Sequence, residues 1–169
     1  FTPSLGTTQL LAGAAGRIPL RLHSGTDLTN VQLVLAVHSD RLTNLNLQAL
    51  APEVAAADFQ ALGSNRFNAT FRSRSDAALQ GDLPLAQLAF ATVTNGPSSV
   101  ARLTGESLRG DRASSAVPLS GGTAEGRVFV IAREPILDGV LATNRQLALA
   151  LYGLPGKRYA LERRAVLGT

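Results

Sequence analysis

Three residue types that hydrolases combine in a nucleophilic triad stand side by side at His38-Ser39-Asp40, and His23-Ser24 repeats two of them. In an extended chain successive side chains point to opposite faces, so His38 and Ser39 cannot hydrogen-bond as a triad requires. Both histidines are expected on a solvated face or at a strand end, and two alone do not make a structural zinc site. Glu53 with Asp58, or Asp76 with Asp82, has the chemistry of an acid and base pair for glycoside hydrolysis. They lie in loop-like stretches with no aromatic platform beside them, so solubilising charge is the expected role. Asp27, Asn30, Asp40 and Asn44 are oxygen donors of the kind calcium takes if their loops converge, although no spaced Asp run of the EF-hand kind is present. Gly121-Gly122 lacks the Gly-Lys-Ser/Thr ending of a phosphate loop and precedes a strand, which suits a flexible connection. Asn68-Ala69-Thr70 is a glycosylation sequon with Asn68 on an outward position. No catalytic residue, cofactor or metal is assigned.

Composition points the same way. The 169 residues contain no Cys, no Met and no Trp, which removes disulfides, thiolate metal sites and cysteine nucleophiles together. A chain of this length buries enough surface to fold without such staples. The net charge is +4, but residues 1–60 sum to −1, 61–125 to +1 and 126–169 to +4. The excess belongs to the tail and the body is neutral, so no nucleic-acid partner is expected. No apolar run approaches the roughly 18 residues of a membrane span. A chain that starts at Phe1 and lacks Met is read as secreted or surface-exposed, with a signal peptide removed, or as part of something longer.

The elements that must position these residues have period two. Ile18, Leu20 and Leu22 alternate with polar neighbours, as do Val31, Leu33, Leu35 and Val37, and Phe67, Ala69 and Phe71. Residues 84–93 are apolar on both faces, which indicates a central or doubly covered strand. Turn-forming runs separate them: Ser24-Gly25-Thr26-Asp27, Leu62-Gly63-Ser64-Asn65 and Thr94-Asn95-Gly96-Pro97. Residues 48–61 are the one stretch with helical character, and at most one short helix is expected. Residues 100–108 lead into a small-residue loop over 110–125, and then a strand over 126–132. The predicted fold is all-β, a jelly-roll-like antiparallel sandwich over 1–132, with a connector over 133–144 and a β-hairpin extension over 145–169.

In that extension Leu147, Leu149 and Leu151 alternate, Leu154-Pro155-Gly156-Lys157 supplies a turn, and Tyr159 and Leu161 resume the alternation. A lone two-stranded hairpin is not stable in water. It is expected to dock on the body, to open a further domain, or to pair with another chain.

These residues carry a resemblance. The run 17–42, RIPLRLHSGTDLTNVQLVLAVHSDRL, is similar to the opening of cohesin-like domains, with Pro19, Asp40 and Leu42 on the family pattern, Arg41 in place of its usual Pro and His38 near its usual Tyr. Residues 81–90, GDLPLAQLAF, and 126–131, GRVFVI, resemble later pieces of the same pattern in order. The tail 145–162, RQLALALYGLPGKRYALE, is similar to a bacterial pattern that opens small immunoglobulin-like modules of surface proteins. The resemblance implies an interaction module, since cohesin-like domains bind dockerin modules or serve as interaction and carbohydrate-binding units.

The expected function is therefore a non-enzymatic extracellular module that binds a protein partner or copies of itself, by surface complementarity and strand addition through the hairpin or residues 7–12. Head-to-tail repetition of such contacts would give filaments. The contact residues expected are Leu147, Leu149, Leu151, Tyr152, Arg158, Tyr159, Arg163 and Arg164. Polysaccharide binding is the alternative, with Tyr152 and Tyr159 as the only candidate tyrosine platforms.

Overall fold

A computed structural model describes residues 1–141 and 146–162. Every regular element in them is a strand: β1 (Thr2–Leu5), β2 (Thr7–Leu11), β3 (Ala15–His38), β4 (Leu42–Ala49), β5 (Val54–Gly63), β6 (Arg66–Ser73), β7 (Leu79–Thr92), β8 (Ser99–Arg112), β9 (Ser115–Ser120), β10 (Glu125–Ile131), β11 (Ile136–Leu141) and β12 (Leu147–Tyr152). No helix among the described residues is long and apolar enough to cross a membrane.

Strand β3 organises the sandwich. Its first half pairs with β1 and β7, and its second half pairs with β6 and β8. The turn expected at Ser24-Gly25-Thr26-Asp27 is instead a kink inside one 24-residue strand, with register shifting between Ser24 and Leu28. Ser24 explains why the chain bends without reversing: its Oγ donates to the Thr26 carbonyl at 2.8 Å and accepts from the Thr26 amide at 3.2 Å. Backbone groups that would lose ladder partners at the bulge are thereby satisfied. At Leu28 the strand pairs with both Leu79 and Arg112, where it passes from one layer to the other.

The core lies between the layers. Ile18, Leu20 and Leu22 of the first half and Val31, Leu33, Leu35 and Val37 of the second are buried with Phe71, Leu85, Leu88, Leu103, Val128 and Val130. Burial of such side chains, each contributing roughly 1.5–3 kcal/mol, selects the period-two registers. Strand β7 is central, between β3 and β4, as its two-sided apolar run suggested.

Residues 48–61 form no helix. They complete β4, turn at Pro52 and become β5, which pairs with β6. Phe59 stacks on Phe67 with ring centroids 5.0 Å apart, so sheet packing overrides the helix preference of the alanines. The small-residue loop over 110–125 contains β9, paired to β8. Residues 7–12 supply β2, which pairs in parallel with β10 of the same chain and forms the open end of that sheet. The sheet is therefore mixed and not wholly antiparallel.

The extension differs most from expectation. Residues 157–162 form no strand, and β12 pairs with β11, which arises inside the expected connector. Leu154-Pro155-Gly156-Lys157 does turn, closed by the Lys157 amide donating to the Leu154 carbonyl at 3.3 Å, but no strand among the described residues after it returns along β12. The sequence alternation over Tyr159 and Leu161 lacks a partner ladder, and alternation without pairing does not make a strand.

The hairpin β11–β12 docks in cis as an extra layer over β10. Ile136, Asp138, Ala150 and Tyr152 share its inner face by register. Tyr152 stacks on Phe129 at 3.7 Å, Arg127 Nη1 pairs with Asp138 Oδ2 at 3.0 Å, and Gln9 Nε2 donates to the Gly153 carbonyl at 2.9 Å. Phe129 and Ile131 point away from the two-layer core yet are fully buried, because the extra layer covers them.

Candidate interaction surfaces

None of the expected chemical groups assembles into a catalytic set. His38 ends β3, where its Nε2 lies 2.7 Å from Thr104 Oγ1, while Ser39 Oγ accepts from the Arg41 amide at 3.0 Å. His23 Nδ1 lies 2.7 Å from Asp82 Oδ1 with both side chains about 70% exposed, which makes it a surface contact worth little. Asp82 is thus apart from Asp76. Asp58 stands on the outer face of β5, whereas Glu53 and Asp76 line one shallow cleft beside Arg74. Asp27 and Asn30 lie where β3 changes layer and Asp40 and Asn44 lie past its far end, so the four oxygen donors do not converge. Among the described residues no three His, Asp or Glu side chains group as metal ligands. Arg41, in the place of the family's Pro, is buried with its guanidinium donating to the Asn95 carbonyl, where it anchors the 94–97 turn.

Two surfaces are candidates. The first is the outer face of β5, β6, the second half of β3 and β8, four strands with roughly 15 Å between its outermost axes. Pairing sets its rows: Ala56, Arg72, Asn30 and Asp111; Asp58, Thr70, Gln32 and Arg109; Gln60, Asn68, Val34 and Ser107; Arg66, Ala36 and Thr104. Val34 is half-buried among polar and charged groups, and Ala36 in the next row is buried. Gln32 Nε2 donates to Asn68 Oδ1 at 3.0 Å, and Arg66 Nη2 reaches Glu106 Oε2 across β3 at 2.5 Å. Arg72 and Arg102 are exposed and form no ion pair among the described residues. A glycan on Asn68 would cover this face.

Asp111 is fixed at one corner. Asn30 Nδ2 donates to its Oδ2 at 3.0 Å and Arg109 lies 3.4 Å from Oδ1. The Asn30 hydrogen bond, with help from Arg109, holds the carboxyl below its ordinary pKa despite a small opposing cost of burial. A depressed folded-state pKa contributes stability above the unfolded value and loses it as pH falls through the folded one. Asn30→Ala is expected to raise the Asp111 midpoint in an NMR carboxyl titration and to narrow this acid-side contribution. An unchanged midpoint would exclude the Asn30 bond as its cause.

The second surface is the outward face of the hairpin. Leu137 faces Leu151, Gly139 faces Leu149, and Leu147 precedes them on β12. These leucines are 47–65% exposed, with no charged side chain among them. Of the residues expected here, Leu147, Leu149 and Leu151 share this face, but Tyr152 turns inward onto Phe129. Arg158 is exposed. Tyr159 packs on Gly153, where a side chain would collide with its ring, and its hydroxyl accepts from the Leu154 amide at 2.8 Å. Arg163 and Arg164 lie outside the described residues. The tyrosine pair expected for sugar stacking is thereby reduced to one ring free of aromatic stacking. A cleft of about 600 Å³ between the hairpin and the 94–97 turn, lined by Leu11, Ile131, Arg133, Glu134 and Leu154 among others, contains no such ring either.

Comparison with solved structures identifies the architecture. The seventh type I cohesin of scaffoldin ScaB from Pseudobacteroides cellulosolvens matches with a TM-score of 0.62 at 17% identity, over 80% of this chain and 94% of that one. A chain of a type I cohesin–dockerin complex from Clostridium thermocellum matches at 0.66 and 12% identity, over 78% and 100%. A cohesin module of a family 33 glycoside hydrolase from Clostridium perfringens matches at 0.66 and 8%, over 78% and 97%. No protein-family model and no curated protein matches the sequence. The chain has a cohesin-like β-sandwich fold.

Proposed function

We propose that this cohesin-like sandwich is a non-enzymatic protein-recognition module of a secreted or cell-surface protein. Its partner docks on the outer face of β5, β6, β3 and β8. The anatomy of that face carries the reading: no other layer of the described residues packs on it, and half-buried Val34 lies among exposed arginines and polar side chains. Arg is favoured at protein contacts. Solved neighbours of the same fold include cohesin–dockerin complexes, so a dockerin-like module is the partner class we propose.

The test is binding of the full chain to a panel of dockerin modules by biolayer interferometry. Arg72→Glu with Arg102→Glu is expected to weaken a responding dockerin at least about tenfold, because like-sign and opposite-sign rim charges set encounter and register. Both arginines are exposed, so thermal stability should stay within about 0.5 kcal/mol of the parent. A panel without a binder, or a binder indifferent to both changes, overturns the assignment.

The hairpin belongs to the same reading as a second contact. Its leucine face recognises polypeptide, and copies of the chain associate through it.

A further inference from the structure

Among the described residues Arg41 is the only buried charged side chain, 9% exposed. It takes part in no ion pair, and Asp40, its neighbour in the chain, is exposed. Nη1 donates to the Asn95 carbonyl, while Nε and Nη2 are shielded from solvent and have no hydrogen-bond partner among the described residues. A carbonyl satisfies one donor and leaves the charge uncompensated, and a buried unpaired charge is among the costliest features a fold can carry.

The two free nitrogens form a matched pair. With Nη1 engaged, Nε and Nη2 make up one edge of the planar guanidinium, and their N–H bonds run parallel. That edge fits the two oxygens of a carboxylate. From this geometry we infer that Arg41 is a carboxylate-binding site, reached when the 94–97 turn lifts. One carboxylate balances the one charge and fills both donors. Ser99 Oγ, where the turn runs into β8, is a further buried polar atom without a partner, on the core side it shares by alternation with Ala101 and Leu103. It gives this end of the sandwich another donor. The site is separate from the outer face of β5, β6, β3 and β8 and does not depend on a partner there.

The turn is built to move. Val93 donates to the Arg41 carbonyl at 2.9 Å on one side of it, and Ser98 Oγ bonds the Ala132 amide and the Glu134 carbonyl on the other. Between these clamps the turn lies on the guanidinium through Asn95 and Gly96. Gly96 has φ of 119°, and a Cβ on it would collide with Arg41 Nη1 and stand 3.0 Å from Cζ and 3.5 Å from Nη2. The far side of the same four residues lines the cleft of about 600 Å³, so the turn has room to swing off the fork.

The full chain is titrated with sodium acetate against sodium chloride at equal ionic strength, and arginine Nε–Hε signals are followed by nitrogen–proton NMR. One signal, absent from Arg41→Lys, is expected to shift saturably with acetate and not with chloride. Lysine keeps the charge without the fork, so Arg41→Lys should lose at least about tenfold in acetate affinity, read from the acetate-dependent rise in melting temperature. Arg41→Met serves the same assignment should the lysine variant not fold. Gly96→Ala cannot close over the guanidinium, so its acetate midpoint should fall at least about threefold, the closed state no longer competing. Triglycine with a free carboxylate, compared with its C-terminal amide, separates the two sources. Equal midpoints for acetate and triglycine mark a free small acid, and a tighter triglycine that the amide abolishes marks a chain end. No saturable signal, a signal that survives without Arg41, or phosphate binding more tightly than acetate overturns the site. An acetate midpoint in Gly96→Ala equal to or above the parent's overturns the lifting turn.

Discussion

Phe129→Ala should cost about 3–5 kcal/mol, the range for removing a fully buried aromatic ring. For a chain of this size each kcal/mol shifts the melting temperature by roughly 2–4 °C, so the transition should fall by about 6–20 °C. The local consequence is more specific. Phe129 is on the outward side of β10, and its ring is the platform on which Tyr152 stacks. Among the attachments that remain are Ile131, also buried beneath the hairpin, the Arg127–Asp138 pair, the Gln9 bond to Gly153 and Ser98 Oγ donating to the Glu134 carbonyl at 2.5 Å. Such partly exposed polar contacts contribute about 1 kcal/mol each or less. A hairpin whose apolar platform is reduced to Ile131 should therefore open more often under native conditions.

Phe71→Ala is the control, since that ring is equally buried but sits in the two-layer core. Both variants lose stability, and only Phe129→Ala should expose the amides of residues 136–141 and 147–152 to rapid hydrogen exchange. Both tyrosines of the chain, Tyr152 and Tyr159, are in or just after β12, and there is no Trp, so intrinsic fluorescence reports the hairpin alone. Protection of those amides in Phe129→Ala equal to that in Phe71→Ala would show that the ring stack does not hold the layer.

Strands whose alternation is strict are legible in the sequence alone, because period two combined with burial leaves one register. Ile18, Leu20 and Leu22, or Phe67, Ala69 and Phe71, fall inward as read. The joining of β3 is not legible there, since Ser-Gly-Thr-Asp has turn chemistry and only the Ser24 hydroxyl contacts reveal a kink. Strand β11 is hidden by Pro135 and Gly139, which look like a connector. The make-up of the outer face of β5, β6, β3 and β8 is invisible for a different reason. Arg66, Asn68, Thr70 and Arg72 read as one solvated strand face, and only cross-strand pairing aligns them with Asp58, Gln32 and Arg109 into one surface. Periodicity states which residues of one strand share a face, and it is silent on which strands lie beside it.

The platform beneath the hairpin depends in turn on a close approach at Gly126. A Cβ there would lie 2.7 Å from Leu5 Cβ and 2.9 Å from the Gly6 carbonyl oxygen, and neither atom belongs to a flexible side-chain end. Gly126→Ala must therefore push the β1–β2 junction off β10, breaking the bond from the Arg127 amide to the Gly6 carbonyl. Overpacking of this kind costs about 1–3 kcal/mol. Strand β1 keeps its pairing with β3, but β2 is held through β10, so the amides over 7–11 should exchange faster while those of β5 and β6 do not. Gln9, which reaches the hairpin, moves with β2, so tyrosine fluorescence should change as well. Gly25→Ala is the comparison, since an added Cβ there meets nothing within 4 Å, and its effect should stay within about 0.5 kcal/mol. Equal thermal stability of the two variants would mean that the chain yields at Gly6 without loss, and that β2 is not pinned to β10 by this contact.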